Sequence, residues 1–304
     1  MLVASVNDKT RQDREEQDAL HIVAHLLSRL ILVLALAGLS AHRAPAVHAA
    51  PALQTVAVVG GQPDDITADA QGDLIWSNVA RGTVERLSSG RITTLARDLS
   101  VPEGVVALPG GAIVVAEQGR DRVVRIERSG EQTVLYTLQP VPGQEGVDGI
   151  GRDPRTGELL IPDSPRGTVL GLSPDGRRVR VIARGLGRPV DAKPDARGNI
   201  LVPDEHLGTL VVITPRGAIA YRGALSTPDD VAIDRADRVW ITTLGDGGLW
   251  TIAPGTTAPR RVLVGLANPQ GLTLDRCGDP IVVEQTTARI VRLLLTPRAA
   301  RCPL

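Results

Sequence analysis

After Gly61 one phrase recurs six times, and no other feature of the chain limits its fold as strongly. Each copy is a Pro or its substitute, an acidic or amide residue, a small or acidic residue, a short apolar strand, a polar turn, and a second apolar strand ending in another polar group. The copies open at Pro63-Asp64-Asp65-Ile66, Pro102-Glu103-Gly104-Val105, Val147-Asp148-Gly149-Ile150, Pro189-Val190-Asp191-Ala192, Pro228-Asp229-Asp230-Val231 and Pro269-Gln270-Gly271-Leu272, spaced by 39, 45, 42, 39 and 41 residues. A period near forty is that of one four-stranded blade. Six such blades close into a ring, so the sequence predicts an all-β, six-bladed β-propeller with four antiparallel strands per blade.

In the first repeat, Ile66–Ala68, Leu74–Ser77, Thr83–Leu87 and Arg91–Ala96 read as the four strands. Turn chemistry recurs at matching points, in Pro109-Gly110-Gly111, Ala196-Arg197-Gly198 and Arg276-Cys277-Gly278. The sixth repeat has only three strands of its own, ending near Leu295. The segment Leu53–Val59 stands just before the first repeat, where every other blade has its fourth strand. It is therefore expected to complete the last blade and remove the open sheet edge.

Ahead of the repeats, the apolar run Leu30–Leu39 follows Arg29 and is followed by Val47-His48-Ala49. Its length and small-residue ending suit a secretory signal better than a membrane span, so residues 1–49 are expected to be a leader and 50–304 a single propeller domain. Asp8, Asp13, Glu15, Glu16 and Asp18 make the first residues acidic where a signal is basic, which points to a true start near Val23. The expected protein is secreted or periplasmic, a monomer, with no stable membrane span once the signal is removed. Cys277 and Cys302, an even pair in an exported chain, are expected to form a disulfide that pins the tail to the final blade. Thirty-four basic residues balance 34 acidic ones, so neither nucleic acid nor an anionic membrane is an expected partner.

Strand alternation places two polar rings on one face. The first is Asp64, Glu103, Asp148, Val190, Asp229 and Gln270; the second is Asn78, Glu117, Asp163, Asp204, Thr243 and Glu284. Carboxylates crowded around a narrow axis either raise one another's pKa or recruit a cation, and oxygen donors with hardly any His suit Ca²⁺ or another hard divalent ion. The same residues also form turns in which carboxylates cap loop amides. Both readings stay open at this level.

With its Pro-Asp/Glu-Gly openings, second strands ending in Asp or Glu and six repeats of about forty, the stretch from Gly61 to Leu295 resembles the regucalcin and gluconolactonase family of propellers, to which NHL-repeat propellers are related. The resemblance implies a divalent cation, usually calcium, on the axis, and hydrolysis of sugar lactones or related esters. It assigns ligands to Asp64, Asp148, Val190 and Asp229. Val190 cannot ligate, so Asp204 or Glu103 is expected to take its place. Asp229 or Asp148 would then take a proton from water.

The second ring, Asn78, Glu117, Asp163 and Glu284, is expected to meet the substrate together with His206, the one His of the propeller. A two-histidine mechanism, as in paraoxonase-like lactonases or streptogramin-lyase propellers, cannot operate with His206 alone. The Leu138–Gly146 connection, the longest between blades, is a candidate lid. The expected function is an exported metal-dependent hydrolase of a sugar lactone or small ester. The alternative is a non-enzymatic NHL-type propeller that binds a peptide, glycan or protein partner.

Overall fold

The structure, a computed structural model, describes residues 52–295. The expected leader and the tail that carries Cys302 lie outside the described residues. Within them are six four-stranded antiparallel sheets, five of them running in chain order from an inner to an outer strand. The first blade is Pro63–Ala68, Leu74–Asn78, Thr83–Ser88 and Arg91–Ala96. In the last blade, Pro269–Leu274, Pro280–Glu284 and Arg289–Leu294 are completed by Ala52–Val58, which pairs antiparallel with Arg289–Leu294. The ring thus closes as the repeat arithmetic requires.

Each gap between neighbouring blades is filled by an aliphatic cluster drawn from both. Ile75 and Val84 of the first blade meet Val105, Val115 and Val124 of the second. Trp76, fully buried, packs against Ile281, Val283 and Ile290 across the closing seam. Blades of this kind cannot bury their faces alone, which is why the repeats must stack.

The third residue of the opening phrase explains itself at the axis. Where it is Asp, its carboxylate reaches the next blade: Asp65 accepts from Val105 N at 2.7 Å and Asp230 from Leu272 N at 2.6 Å. Where it is Gly, the next blade's backbone comes too close for a side chain. A Cβ on Gly149 would lie 2.6 Å from Val190 O, and one on Gly271 would lie 2.5 Å from Asp64 O.

Four inner strands start at the opening Pro and run six residues, in blades one, two, five and six. Blades three and four keep only Gly151–Arg152 and Lys193–Pro194 in the ladder. That irregular pair faces the axis where the site is built.

Candidate functional site

The residue after each opening Pro position turns toward the axis at one face. Asp64, Glu103, Asp148, Asp229 and Gln270 line a mouth cavity of about 600 Å³, joined by Gln62, Glu145, Arg188, Glu205, His206 and Gln285. Apolar lining is slight, from Val79 and Leu244. A smaller space of about 20 Å³ lies between Asp64, Asp148 and Asp229 on one side and Asp65, Asp191 and Asp230 on the other. The first ring is therefore assembled as expected, except that Val190 is buried and contributes only to the smaller space.

These carboxyls press on one another. Burial, then the charges of Asp148 and Asp65, lifts Asp64 well above the ordinary carboxyl range, although Gln285 Nε2 donates to its Oδ2 at 2.8 Å. Burial, then Asp148 and Asp64, does the same to Glu103. Glu103 and Asp148 share a side-chain hydrogen bond in which the protonated Glu103 donates.

Burial carries Asp148 up to about 7, held there against the lowering pull of Arg188, whose Nη2 stands 3.0 Å from Asp148 Oδ2. Burial, then Asp148 and Asp64, raises Asp229 well above its usual range. The Asp229 carboxyl accepts no hydrogen bond from any described residue. An all-oxygen, mutually repelling set of this kind has the donor chemistry of a hard divalent cation, because positive charge among the carboxyls relieves what raises their pKa. As they stand, no three acidic, His or Cys side chains among the described residues converge on a single ion position.

Immediately below is a layer that repeat counting does not single out. Lys193 Nζ donates to Asp191 Oδ1 at 2.7 Å and to Ile150 O at 3.0 Å, and lies 3.7 Å from Asp230 Oδ1. Burial opposes its charge, but Asp191, Asp230 and Asp65 hold the ammonium above its ordinary pKa. Asp191, the neighbour of Val190 in the opening phrase, is part of this layer. The sequence signal was present: Lys193 is one of only two Lys in the chain.

The second ring has a different occupation. Asn78 Oδ1 accepts from Gln62 N at 3.1 Å, Glu117 Oε1 from Ser100 N at 2.8 Å, and Glu284 Oε1 from Ala267 N at 3.0 Å. Asp204 accepts from Gly187 N, Arg188 N and Leu207 N at 2.7, 3.0 and 2.9 Å. Each caps the loop that enters its own blade. Arginines take the remaining lone pairs: Arg120 and Arg122 at Glu117, Arg166 at Asp163, Arg289 at Glu284.

Asn78, Glu117, Asp163 and Glu284 are buried and do not line the mouth, and Asp204, expected as a substitute ligand, is saturated by amides. Of the expected substrate contacts only His206 reaches the cavity. Arg188, Glu145, Glu205 and Gln285, which do reach it, were not singled out from sequence. Glu145 belongs to the long Leu138–Gly146 connection and pairs with Arg188 Nη2 at 2.9 Å, so that loop does extend to the mouth.

No protein-family model matches the chain. Among curated proteins, virginiamycin B lyase of Nocardia farcinica is 28% identical over 204 residues, spanning 66% of this chain and 69% of that protein. Among solved structures, a gluconolactonase from Xanthomonas campestris superposes with a TM-score of 0.70 at 15% identity, over 81% of this chain and 90% of that one. A catalytically inactive virginiamycin B lyase from Staphylococcus aureus, with quinupristin, gives 0.63 at 19% identity, over 81% and 86%. At such identities what is shared is the fold, and propellers host unrelated activities. The structural neighbours of this six-bladed propeller thus include both gluconolactonase and streptogramin B lyase propellers.

Proposed function

We propose that this chain is a hydrolase or lyase-type propeller that opens a small ring ester, a sugar lactone being the first candidate, at the mouth of its axis. One observation carries this reading: carboxyls raised by burial and mutual repulsion, Asp229 among them with no hydrogen-bond partner among the described residues, line a cavity of about 600 Å³. Polar groups of this kind, held away from their ordinary pKa in a cleft, mark proton-transfer sites. The gluconolactonase and virginiamycin B lyase likenesses support the same class of small cyclic substrate.

Asp148, poised at about 7, is the base that takes a proton from water as its oxygen attacks the carbonyl. Asp229, whose carboxyl burial and the charges of Asp148 and Asp64 raise well above its usual range, returns a proton to the alkoxide that leaves when the ring C–O bond breaks. Gln62, Gln270 and Gln285 supply amide groups that orient the hydroxyls of a sugar-like substrate in the cavity. Asp64, Glu103, Asp148 and Asp229 would hold the divalent cation, Ca²⁺ being the first candidate. Bound there, it would polarise the carbonyl. Export, and a Cys277–Cys302 disulfide closing the tail onto the last blade, belong to the same proposal.

Incubation of the purified protein with sugar lactones, simple aryl esters and virginiamycin B tests it. Hydrolysis adds one water to the product mass and lyase cleavage adds none, so mass spectrometry separates the two. Asp148→Asn and Asp229→Asn should abolish whichever turnover is seen. A non-enzymatic binding propeller is the second reading. It is favoured by the second ring, whose carboxylates are saturated by loop amides and arginines and so leave few groups for substrate recognition. Turnover lost in both variants would exclude it.

A further inference from the structure

The fourth blade departs from the others at the axis, and the departure is filled by one side chain. Its ring position is Val190, 2% exposed, where blades one, two, three and five present Asp64, Glu103, Asp148 and Asp229. Two residues earlier stands Arg188, whose loop is fixed by Asp204 through Gly187 N at 2.7 Å and Arg188 N at 3.0 Å. The guanidinium is thereby directed into the mouth. Its Nη2 lies 3.0 Å from Asp148 Oδ2 and 2.9 Å from Glu145 Oε2, and its Nη1 pairs with Glu205. It is the one Lys or Arg side chain among the described residues that line this cavity.

We propose that Arg188 is the fourth blade's contribution to the axial site: a tethered cation that fills the gap left by Val190 and weakens the ring's hold on a free divalent ion. A fixed positive charge bonded to Asp148 removes one of the carboxylates an incoming ion would use, and it repels that ion from the same side. The pairing also ties the Leu138–Gly146 loop to the mouth through Glu145, so the same residue shapes access. This inference rests on the cation-assisted reading above.

The test is calorimetry of Ca²⁺ binding to the full chain at pH 8, with thermal unfolding of each variant alongside. Arg188→Gln should bind at least about ten-fold more tightly than the unaltered protein, and Arg188→Lys, which keeps the charge, should stay within about three-fold of it. Equal or weaker binding by Arg188→Gln, with the unaltered protein still binding, would overturn the role of Arg188 and leave the cation reading standing. Binding by Arg188→Gln alone would support the role and end the cation reading for the native chain. Absence of binding in every variant would overturn both. Val190→Asn, with the arginine kept, gives an arm that does not disturb the Asp204 loop. It should change the affinity by less than about three-fold, and a larger gain would show that the gap was open after all.

Discussion

Asp204 and Asp229 are both strand-end carboxylates on the same face, one in the fourth blade and one in the fifth. Asp204 receives three backbone N–H groups and is fully buried. Asp229 receives none from the described residues and is surrounded by other acids. One carboxylate is therefore part of the scaffold, and the other is held in a state that costs stability. The contrast extends around each ring, with Glu117 and Glu284 behaving like Asp204, and Asp64 and Glu103 like Asp229. Identical chemistry next to identical turns becomes structure or site according to whether loop amides reach it.

The largest effect that would sharpen this contrast is on turnover. Asp148→Asn keeps the shape and removes the base, so the rate of ring opening should fall about a thousand-fold. Steady-state kinetics on whichever substrate is turned over would show it, and a loss of less than ten-fold would reassign the base. The thermal midpoint of this variant should not fall, because a repelled group has been neutralised.

Next in size is the reverse case. Asp204→Ala orphans three loop amides and should cost roughly 3 kcal/mol of stability, a drop on the order of 6–12 °C in thermal midpoint. If calorimetry finds Asp204→Ala as stable as the unaltered protein, the assignment of the second ring to the scaffold is wrong.

The pH dependence follows from the raised carboxyls. Asp148 titrates at about 7 in the folded chain and Asp65 at about 6, against about 3.9 in an unfolded one. Their contribution to stability is thus complete below about pH 4 and is lost as the pH rises through 6 and then 7. With a chelator present, unfolding midpoints should decline between pH 5 and pH 8. Addition of Ca²⁺ should recover part of the loss at pH 8 and almost none at pH 5. A midpoint that climbs steadily over this range would contradict the electrostatics of the axis.

How much of this could be read from the chain depends on the range of the interactions involved. The six blades and the borrowed strand are legible because a forty-residue period is a local pattern repeated, and because a missing fourth strand has a single candidate. The first ring is legible for the same reason: Pro-Asp and Pro-Glu recur at fixed phase. The fate of the second ring is not, since the partner of Glu117 is Ser100 N, and that of Glu284 is Ala267 N, both 17 residues earlier in the chain.

Nor is Arg188, which beside Pro189 looks like any solvated loop charge until the fold directs it at Asp148. Strict strand alternation does not place Asp191 either, because the fourth blade's inner strand is reduced to Lys193–Pro194 and its start does not follow the regular pleat. The register shift between Pro63 and Ile66, repeated between Pro228 and Val231, shows the same irregularity at the axis of the longer strands.

The sharpest measurement compares the thermal unfolding of Asp229→Asn with that of the unaltered protein at pH 8 in chelator. An isosteric, uncharged side chain should leave the other carboxyls less crowded, and the midpoint should rise by a few degrees. A fall of the size expected for Asp204→Ala would mean that Asp229 is part of the scaffold, and that the axial ring is no more a site than the loops around it.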